Sequence, residues 1–355
     1  PEEVRRIAAH GPWPPPPARD AGNALSGRRD AIALGRMLFF DARLSTDGRV
    51  ACTTCHVPVL ALTDGRSRSA GVAPLDRNAP SLWNAVHERW MGWGGAADSL
   101  WSQAIRPLLD PQEMASSGAH LRDRVAGDPR LAAQWRRVFA REAAHSEPEA
   151  VLVDTAKAIA AWVATLVSPR TPFDDFRDAL QRGDRAAAAR YPLQAQRGAR
   201  LFVGRARCTV CHLGPMFSHG EFADIGLPFF VRPGVVDPGR HGGIEALRAS
   251  RYNLLSHWAD PPVDATKTRH VQLQHRNFGE FKVPSLRHVA QTAPYMHNGQ
   301  LATLDDVLRH YSEPNLERLH ADGEQILQPL RLTDDERADL VAFLRTLSPR
   351  RWPPL

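Results

Sequence analysis

Apolar residues recur at helical spacing in several short stretches of the chain. From Ala31 to Phe40 and again from Gln194 to Phe202 the pattern predicts amphipathic helices. A third run, Ala150 to Leu166, sets Ile159, Trp162, Val163 and Leu166 on one face. Near the end, Thr333 stands as an N-cap, with Asp334, Asp335 and Glu336 at the positive end of a helix. Leu340, Phe343, Leu344 and Leu347 then supply its apolar stripe. Two segments echo each other: Gly35-Arg36-Met37-Leu38-Phe39 and Gly198-Ala199-Arg200-Leu201-Phe202 read as a degenerate internal repeat.

Breaks in the pattern divide the chain. Four prolines, Pro14 to Pro17, forbid a helix interior and favour polyproline II. Residues 1–25 are therefore expected to form an extended N-terminal arm on the surface. Pro169 and Pro172 interrupt the helical pattern, which places a boundary between Ser168 and Gly183. The polar stretches Asp64 to Pro80 and Leu227 to Thr268 are expected to be loops, with room for a short hairpin. The predicted fold class is mainly α, with long loops. Beyond the arm, two domains are expected, residues 26–172 and 173–355, related by the internal repeat.

Composition changes this picture little. Of 355 residues, 43% are hydrophobic and 24% charged, as in a soluble globular protein. No run approaches the ~20 apolar residues of a membrane span. Ala156 to Val167 carries Lys157 and reads as a core helix. The chain starts Pro1-Glu2-Glu3 with no secretory leader in view, although a leader removed on maturation would leave the same start. The net charge of +6 comes from scattered arginines, which argues for a solvated surface or a face for an acidic partner and against nucleic acid. Each ferric haem with ionised propionates would lower that charge by about one.

The cysteines carry the chemistry. All four fall in two Cys-x-x-Cys-His motifs, Cys52/Cys55/His56 and Cys208/Cys211/His212, leaving none for a disulfide, a nucleophile or a separate zinc site. Two thiols three residues apart can add to the two vinyl groups of one haem, and the next residue then lies under the iron as proximal ligand. Zinc half-sites or thiol-redox motifs are the competing reading, but neither needs the trailing histidine twice. Two covalently bound haem c groups are expected, which makes residues 26–172 and 173–355 two cytochrome c-like haem domains. Function then turns on the sixth ligand: two closed irons transfer electrons only, whereas one open iron can bind peroxide or oxygen.

Beyond these motifs the chain resembles the bacterial dihaem cytochrome c peroxidase family, which includes the MauG-type enzymes. The resemblance rests on Leu38-Phe39-Phe40-Asp41-x-Arg43-Leu44-Ser45, Leu62-Thr63-Asp64-Gly65-Arg66 and Arg77-Asn78-Ala79-Pro80-Ser81-Leu82-x-Asn84-Ala85. It extends through Pro107-Leu108-x-x-Pro111-x-Glu113-Met114, Phe281-Lys282-Val283-Pro284-Ser285-Leu286-Arg287 and Thr292-Ala293-Pro294-Tyr295-Met296-His297-Asn298-Gly299. It implies an N-terminal haem that reacts with peroxide and a C-terminal haem that receives or stores electrons. Glu113 matches the acidic residue above the reactive haem, where a carboxylate can move a proton between the two peroxide oxygens. Gln103 matches a distal hydrogen-bonding residue. Trp93 matches the tryptophan between the haems, with Trp90 as a rival. The chain reads Trp93-Gly94-Gly95-Ala96 where the family usually has Trp-Asp-Gly-Arg, so the hydrogen bonding there is expected to differ.

The axial positions follow from the same resemblance. Six-coordinate resting members carry a histidine between the first motif and the Asn-x-Pro segment. Between His56 and Asn78 this chain has neither histidine nor methionine, so the first haem is expected to be open at rest. For the second haem, the family's methionine position, fourteen residues after His297, is Tyr311, matching the axial tyrosine of the MauG branch. His310 and Met296 are rival ligands. A phenolate favours ferric or higher iron, and the MauG resemblance implies that the haem pair can store two oxidising equivalents. The resemblance also implies Ca²⁺ held by the Asn78 side chain and the carbonyls of Thr292 and Pro294.

The leading functional expectation is a peroxidase that reduces hydrogen peroxide with electrons from a small cytochrome c or cupredoxin. A MauG-like oxidase acting on residues of a partner protein through a two-haem high-valent state is the alternative. Against it, the tryptophan that MauG places two residues before its second motif is Ala206 here. A pure electron-transfer cytochrome is a third reading. Covalent haem attachment occurs outside the bacterial cytoplasm, so a periplasmic location is expected, and by family analogy a homodimer.

Overall fold

The computed structural model describes residues 2–227, 230–319, 322, 326–353 and 355. The helices are, in order, α1 (Glu2–Ala8), α2 (Arg29–Phe39), α3 (Cys52–Cys55), α4 (Leu100–Leu109), α5 (Gly118–Gly127), α6 (Pro129–Phe139) and α7 (Pro148–Val163). Then follow α8 (Pro172–Arg182), α9 (Arg185–Ala188), α10 (Leu193–Val203), α11 (Arg240–Ala249), α12 (Thr266–Arg269), α13 (Leu304–Ser312) and α14 (Asp334–Arg345). Strands are few and short. β1 (Phe222–Ala223) pairs antiparallel with β4 (Phe281–Lys282), and β2 (Phe230–Arg232) forms a hairpin with β3 (Val235–Val236). The fold is mainly helical, as the periodicity predicts.

Two compact units are interleaved along the sequence. One contains residues 18–166 and 242–273, and the other residues 1–17, 167–241 and 274–355. In the 18–166 unit, α7 is the central rod. It is buried nearly all round from Val151 to Val163, rather than on the single face that its pattern suggests, because α2, α4 and α5 all pack on it. Its buried Lys157 is compensated by Asp260, at 2.8 Å. Gly35 permits the closest approach of α2 to α7: a Cβ there would lie 1.9 Å from the carbonyl oxygen of Ala158.

The other unit closes by α10 on α14. A Cβ at Gly198 would lie 2.0 Å from the carbonyl oxygen of Asp339, whose carboxylate pairs with Arg197 at 2.7 Å. Thr333 caps α14 in a full capping box with Glu336. Leu340, Phe343, Leu344 and Leu347 join Phe173, Phe202 and Phe217 in one apolar cluster.

Three expectations are corrected. The N-terminal arm is not an extended surface segment. Residues 2–8 form α1, Ile7, His10 and Trp13 are buried, and Arg177 donates from Nε and Nη2 to the carbonyl of Ala8. The apolar anchors outweigh the proline run, which is non-helical as expected. The boundary expected within 168–183 falls just before it, between Leu166 and Val167, because Pro172 occupies the first turn of α8, where its missing N–H costs nothing. The stretch from Leu227 to Thr268 contains the hairpin but also α11, and its residues 242–273 return to the first unit. There Asp98 Oδ2 accepts from Leu254 N (2.9 Å) and Thr268 Oγ1 (2.7 Å).

Substituting Gly35→Ala should therefore destabilise the protein by about 1–3 kcal/mol, overpacking outweighing the better helix propensity of alanine. Urea midpoints of variant and parent measure this. An unchanged midpoint would show that α2 and α7 separate freely.

Candidate active site

Each Cys-x-x-Cys-His motif is one tight turn. In the first, α3 carries both thiols, and the amide of His56 closes on the carbonyl of Cys52 at 2.9 Å. In the second, Cys208–Val210 is a 3₁₀ turn, and the amide of His212 closes on Cys208 at 2.8 Å. The i, i+3 spacing sets the two sulfurs on one side with the imidazole following. No disulfide joins the thiols. Burial pushes Cys52 and Cys208 up to about 12 and Cys55 to about 11, so they are neutral thiols rather than metal-ready thiolates.

Both imidazoles are oriented from behind. His56 Nδ1 donates to the carbonyl of Leu62 at 3.0 Å, and His212 Nδ1 to that of Phe217 at 2.8 Å. Nε2 of each is thereby left as the ligand nitrogen. Burial lowers both imidazole pKa values, that of His212 to about 4, which keeps the rings neutral as a ligand requires. The accepting carbonyls sit on left-handed backbone, with φ of 60° at Leu62 and 52° at Phe217. Ser81 Oγ donates to Ala61 O, and Ser285 Oγ to Met216 O, each at 2.7 Å, fixing the preceding peptide in both loops.

The group facing the first motif is built by α4 and the turn after it. Ser99 caps α4 and Asp20 accepts from the amides of Leu100 (2.7 Å) and Trp101 (3.0 Å), fixing the start of the helix. Gln103 lies one turn on, and its Oε1 is buried without a hydrogen-bond partner. That orphaned acceptor fits a site meant to hold another group. Beyond the helix, Glu113 is held by its backbone: Val72 N donates to Glu113 O at 2.9 Å, and Gly71 must lack a Cβ, which would fall 2.4 Å from that oxygen. The same loop receives Cys55, whose Sγ lies 3.8 Å from Ala70 O. Desolvation, then the Asp110 charge, raise the Glu113 carboxyl to about 7, and Arg106 opposes them. Its charge is felt at both Cys52 and Cys55, which places it over the first motif.

Trp93 lies in the turn between Met91 and Ala97, and its Nε1 donates to the carbonyl of Asn78 at 2.8 Å. α11 packs on that turn through Gly243, where a Cβ would lie 1.9 Å from Gly94 O. The Asn78 amide donates to Arg66 O at 2.7 Å. Thr292 and Pro294 belong to the other unit. Tyr311 lies near the end of α13, its phenol raised by burial and by both Cys208 and Cys211, so it faces the second motif. Its neighbour His310 has Nε2 committed to Ile225 O at 2.8 Å. Among the described residues no three His, Cys, Asp or Glu side chains converge as a metal site.

Known proteins place this arrangement. The family model for di-haem cytochrome c peroxidase matches residues 29–182. The methylamine utilization protein MauG of Methylorubrum extorquens is 37% identical over 90% of this chain and 78% of its own length. The cytochrome-c peroxidase IdrP1 of Denitromonas iodatirespirans is 35% identical over 95% of this chain and 86% of its own.

This chain belongs to the dihaem cytochrome c peroxidase and MauG family.

It is accordingly an oxidoreductase of the cytochrome c peroxidase type, in a family whose cofactor is haem. A crystal structure of a MauG-like protein associated with microbial copper homeostasis has the same fold, with a TM-score of 0.72 at 28% identity over 96% of this chain and 95% of that one. The two motif turns, with neutral imidazoles fixed through Nδ1 and an orphaned amide oxygen on α4, fit a haem-binding enzyme of this kind. Among the described residues no helix is long and apolar enough to cross a membrane.

Glu113 carries a testable electrostatic signature. Its pKa of about 7 lies above the ordinary 4.5, so its stabilising contribution is full below about 4.5 and is lost as pH rises through 7. Glu113→Gln should gain stability relative to the parent between pH 4 and pH 8, by on the order of 2–3 kcal/mol, read from urea midpoints. A difference independent of pH would place Glu113 in solvent.

Proposed function

We propose that the enzyme reduces hydrogen peroxide at a haem c attached to Cys52, Cys55 and His56. Electrons reach it through a second haem c attached to Cys208, Cys211 and His212 and capped by Tyr311. Bound haem supplies the redox-active iron that the protein itself lacks. The observation that carries the reading is Glu113, a half-buried carboxyl raised toward neutral pH and within electrostatic reach of the first motif. A group with that pKa can accept a proton from one peroxide oxygen and return it to the other. Gln103 Oε1, unpaired in its pocket, is free to accept a hydrogen bond from the bound oxygen species.

An internal repeat is part of the proposal. Gly35 against α7 and Gly198 against α14 make the same close approach. Pro80-Ser81-Leu82 and Pro284-Ser285-Leu286 lead into Asn84 and His288, both left-handed at φ 66° and 67°. The amides of these two residues donate to the final-helix carbonyls of Leu166 and Leu347. With the N-caps Ser99 and Thr303 aligned, the eighth residue onward is Pro107 in α4 and Tyr311 in α13. A proline side chain has no donor atom for iron, which supports an open first haem and a closed second one.

The MauG-like alternative, oxidation of residues in a partner protein, draws support from Tyr311, since a phenolate stabilises oxidised iron. Ala206 argues against a surface exit for oxidising equivalents before the second motif, because it is small and buried. Calcium, with Asn78 as one oxygen donor, a small redox protein as electron donor, and a periplasmic location complete the proposal.

Peroxide added to the resting oxidised protein, followed by reduced cytochrome c, tests the reading by optical and EPR spectra. Rapid turnover without prior reduction is expected. A long-lived oxidised state with poor turnover would favour the MauG-like role, and no reaction would leave electron transfer alone. Glu113→Gln should lower the peroxide rate by ~10²–10⁴ with haem content intact, whereas Tyr311→Phe should change only the spectrum of the second haem at rest.

A further inference from the structure

The loop after the second motif is held by side chains from distant parts of the chain. Four consecutive carbonyls, from Gly214 to Phe217, each accept a side-chain hydrogen bond. His10 Nδ1 donates to Gly214 O at 3.2 Å, Arg287 Nε to Pro215 O at 2.6 Å, Ser285 Oγ to Met216 O at 2.7 Å and His212 Nδ1 to Phe217 O at 2.8 Å. Ser285 has a counterpart in Ser81. Arg287 does not, because the residue after Pro80-Ser81-Leu82 is Trp83.

Arg287 is a buried cation. Its side chain and that of Asp174 are 0% and 2% exposed, paired at 2.9 Å, and its guanidinium lies 3.5 Å from the centroid of the Trp13 ring. Asp174 is itself fixed by the amide (2.7 Å) and hydroxyl (2.9 Å) of Thr171 at the start of α8. His10 stacks on Phe217 with centroids 4.5 Å apart and planes 9° apart. Buried charges of this kind cost several kcal/mol unless paired, and such a pair is weak evidence for stability alone. His10 and Arg287 instead bond the carbonyls three and two residues before Phe217, whose own carbonyl receives His212.

We infer that His10, Asp174 and Arg287 are positioning residues that set the hydrogen bond from His212 to Phe217 and, through it, the reduction potential of the C-terminal haem. The inference rests on the proposed attachment of haem at Cys208, Cys211 and His212. A firmly held carbonyl draws the Nδ1 proton and makes the imidazole a stronger donor, which favours ferric iron. Relaxing the loop weakens that bond and favours ferrous iron.

Redox titration of the intact two-haem protein tests this, after pyridine haemochromogen assay and peptide mass have counted the haems. Arg287→Lys keeps the charge but loses the planar fork. His10→Phe keeps the ring stack but loses the donor, and His10→Gln restores a donor. The first two should shift the ferric/ferrous equilibrium of the C-terminal haem about tenfold toward ferrous, about 59 mV for one electron. They should also move its low-spin EPR g-values. His10→Gln should lie near the parent, and the N-terminal haem should not move. A shift under twofold in both Arg287→Lys and His10→Phe, with haem content intact, would overturn the inference. Absence of haem from Cys208 and Cys211 in the parent protein would instead overturn the attachment on which it rests, before any potential is read.

Discussion

The Nδ1 atom of each motif histidine donates to a carbonyl on left-handed backbone, and the surrounding architecture serves to keep that carbonyl in place. A non-glycine residue at positive φ is strained and persists only where its surroundings over-determine it. Leu62 and Phe217 meet that condition because a serine hydroxyl fixes the preceding peptide in each loop. The serines sit in Pro-Ser-Leu segments whose next turn is anchored to the end of α7 or just beyond α14. Those helices are in turn located by the glycine contacts with α2 and α10. A displaced glycine contact would therefore reach the ligand through a short series of rigid neighbours.

Against this shared frame, the differences carry the function. α4 carries Pro107 where α13 carries Tyr311, and Glu113 follows α4 in the next turn. Arg287 bonds the loop after the second motif, and the residue at its place in the other Pro-Ser-Leu segment is Trp83. Polar groups buried next to one motif and absent from the other are costly, and their placement differentiates two attachment sites of identical chemistry.

Much of this was legible in the sequence because the relevant chemistry is local. Cys-x-x-Cys-His needs only five residues, and helices such as α2, α10 and α14 follow from periodicity and caps. Tyr311 and Glu113 came from the family resemblance, and each lies within electrostatic reach of the cysteines of one motif. What the sequence hid depends on distant pairing. Nothing near His10 signals that it reaches Gly214, and a proline-rich start suggested a loose arm because Ile7, His10 and Trp13 have no periodic partners. Likewise, residues 242–273 read as polar loop, since Asp98, Lys157 and Gly94, which receive them, lie more than a hundred residues earlier. The proline at 172 looked like a break but occupies a helix start, the one place in a helix where it is at home.

The interleaving of the two units also bears on how relatives of this enzyme can diverge. Five segments make up the two units, so the chain passes between them four times. Neither haem unit corresponds to a contiguous stretch of gene. Recombination at a single point cannot exchange one haem environment and spare the other, so their properties must change by substitution within a shared framework. A chimaera built to graft one unit onto another family member needs four junctions, and the first of them falls immediately after Pro17.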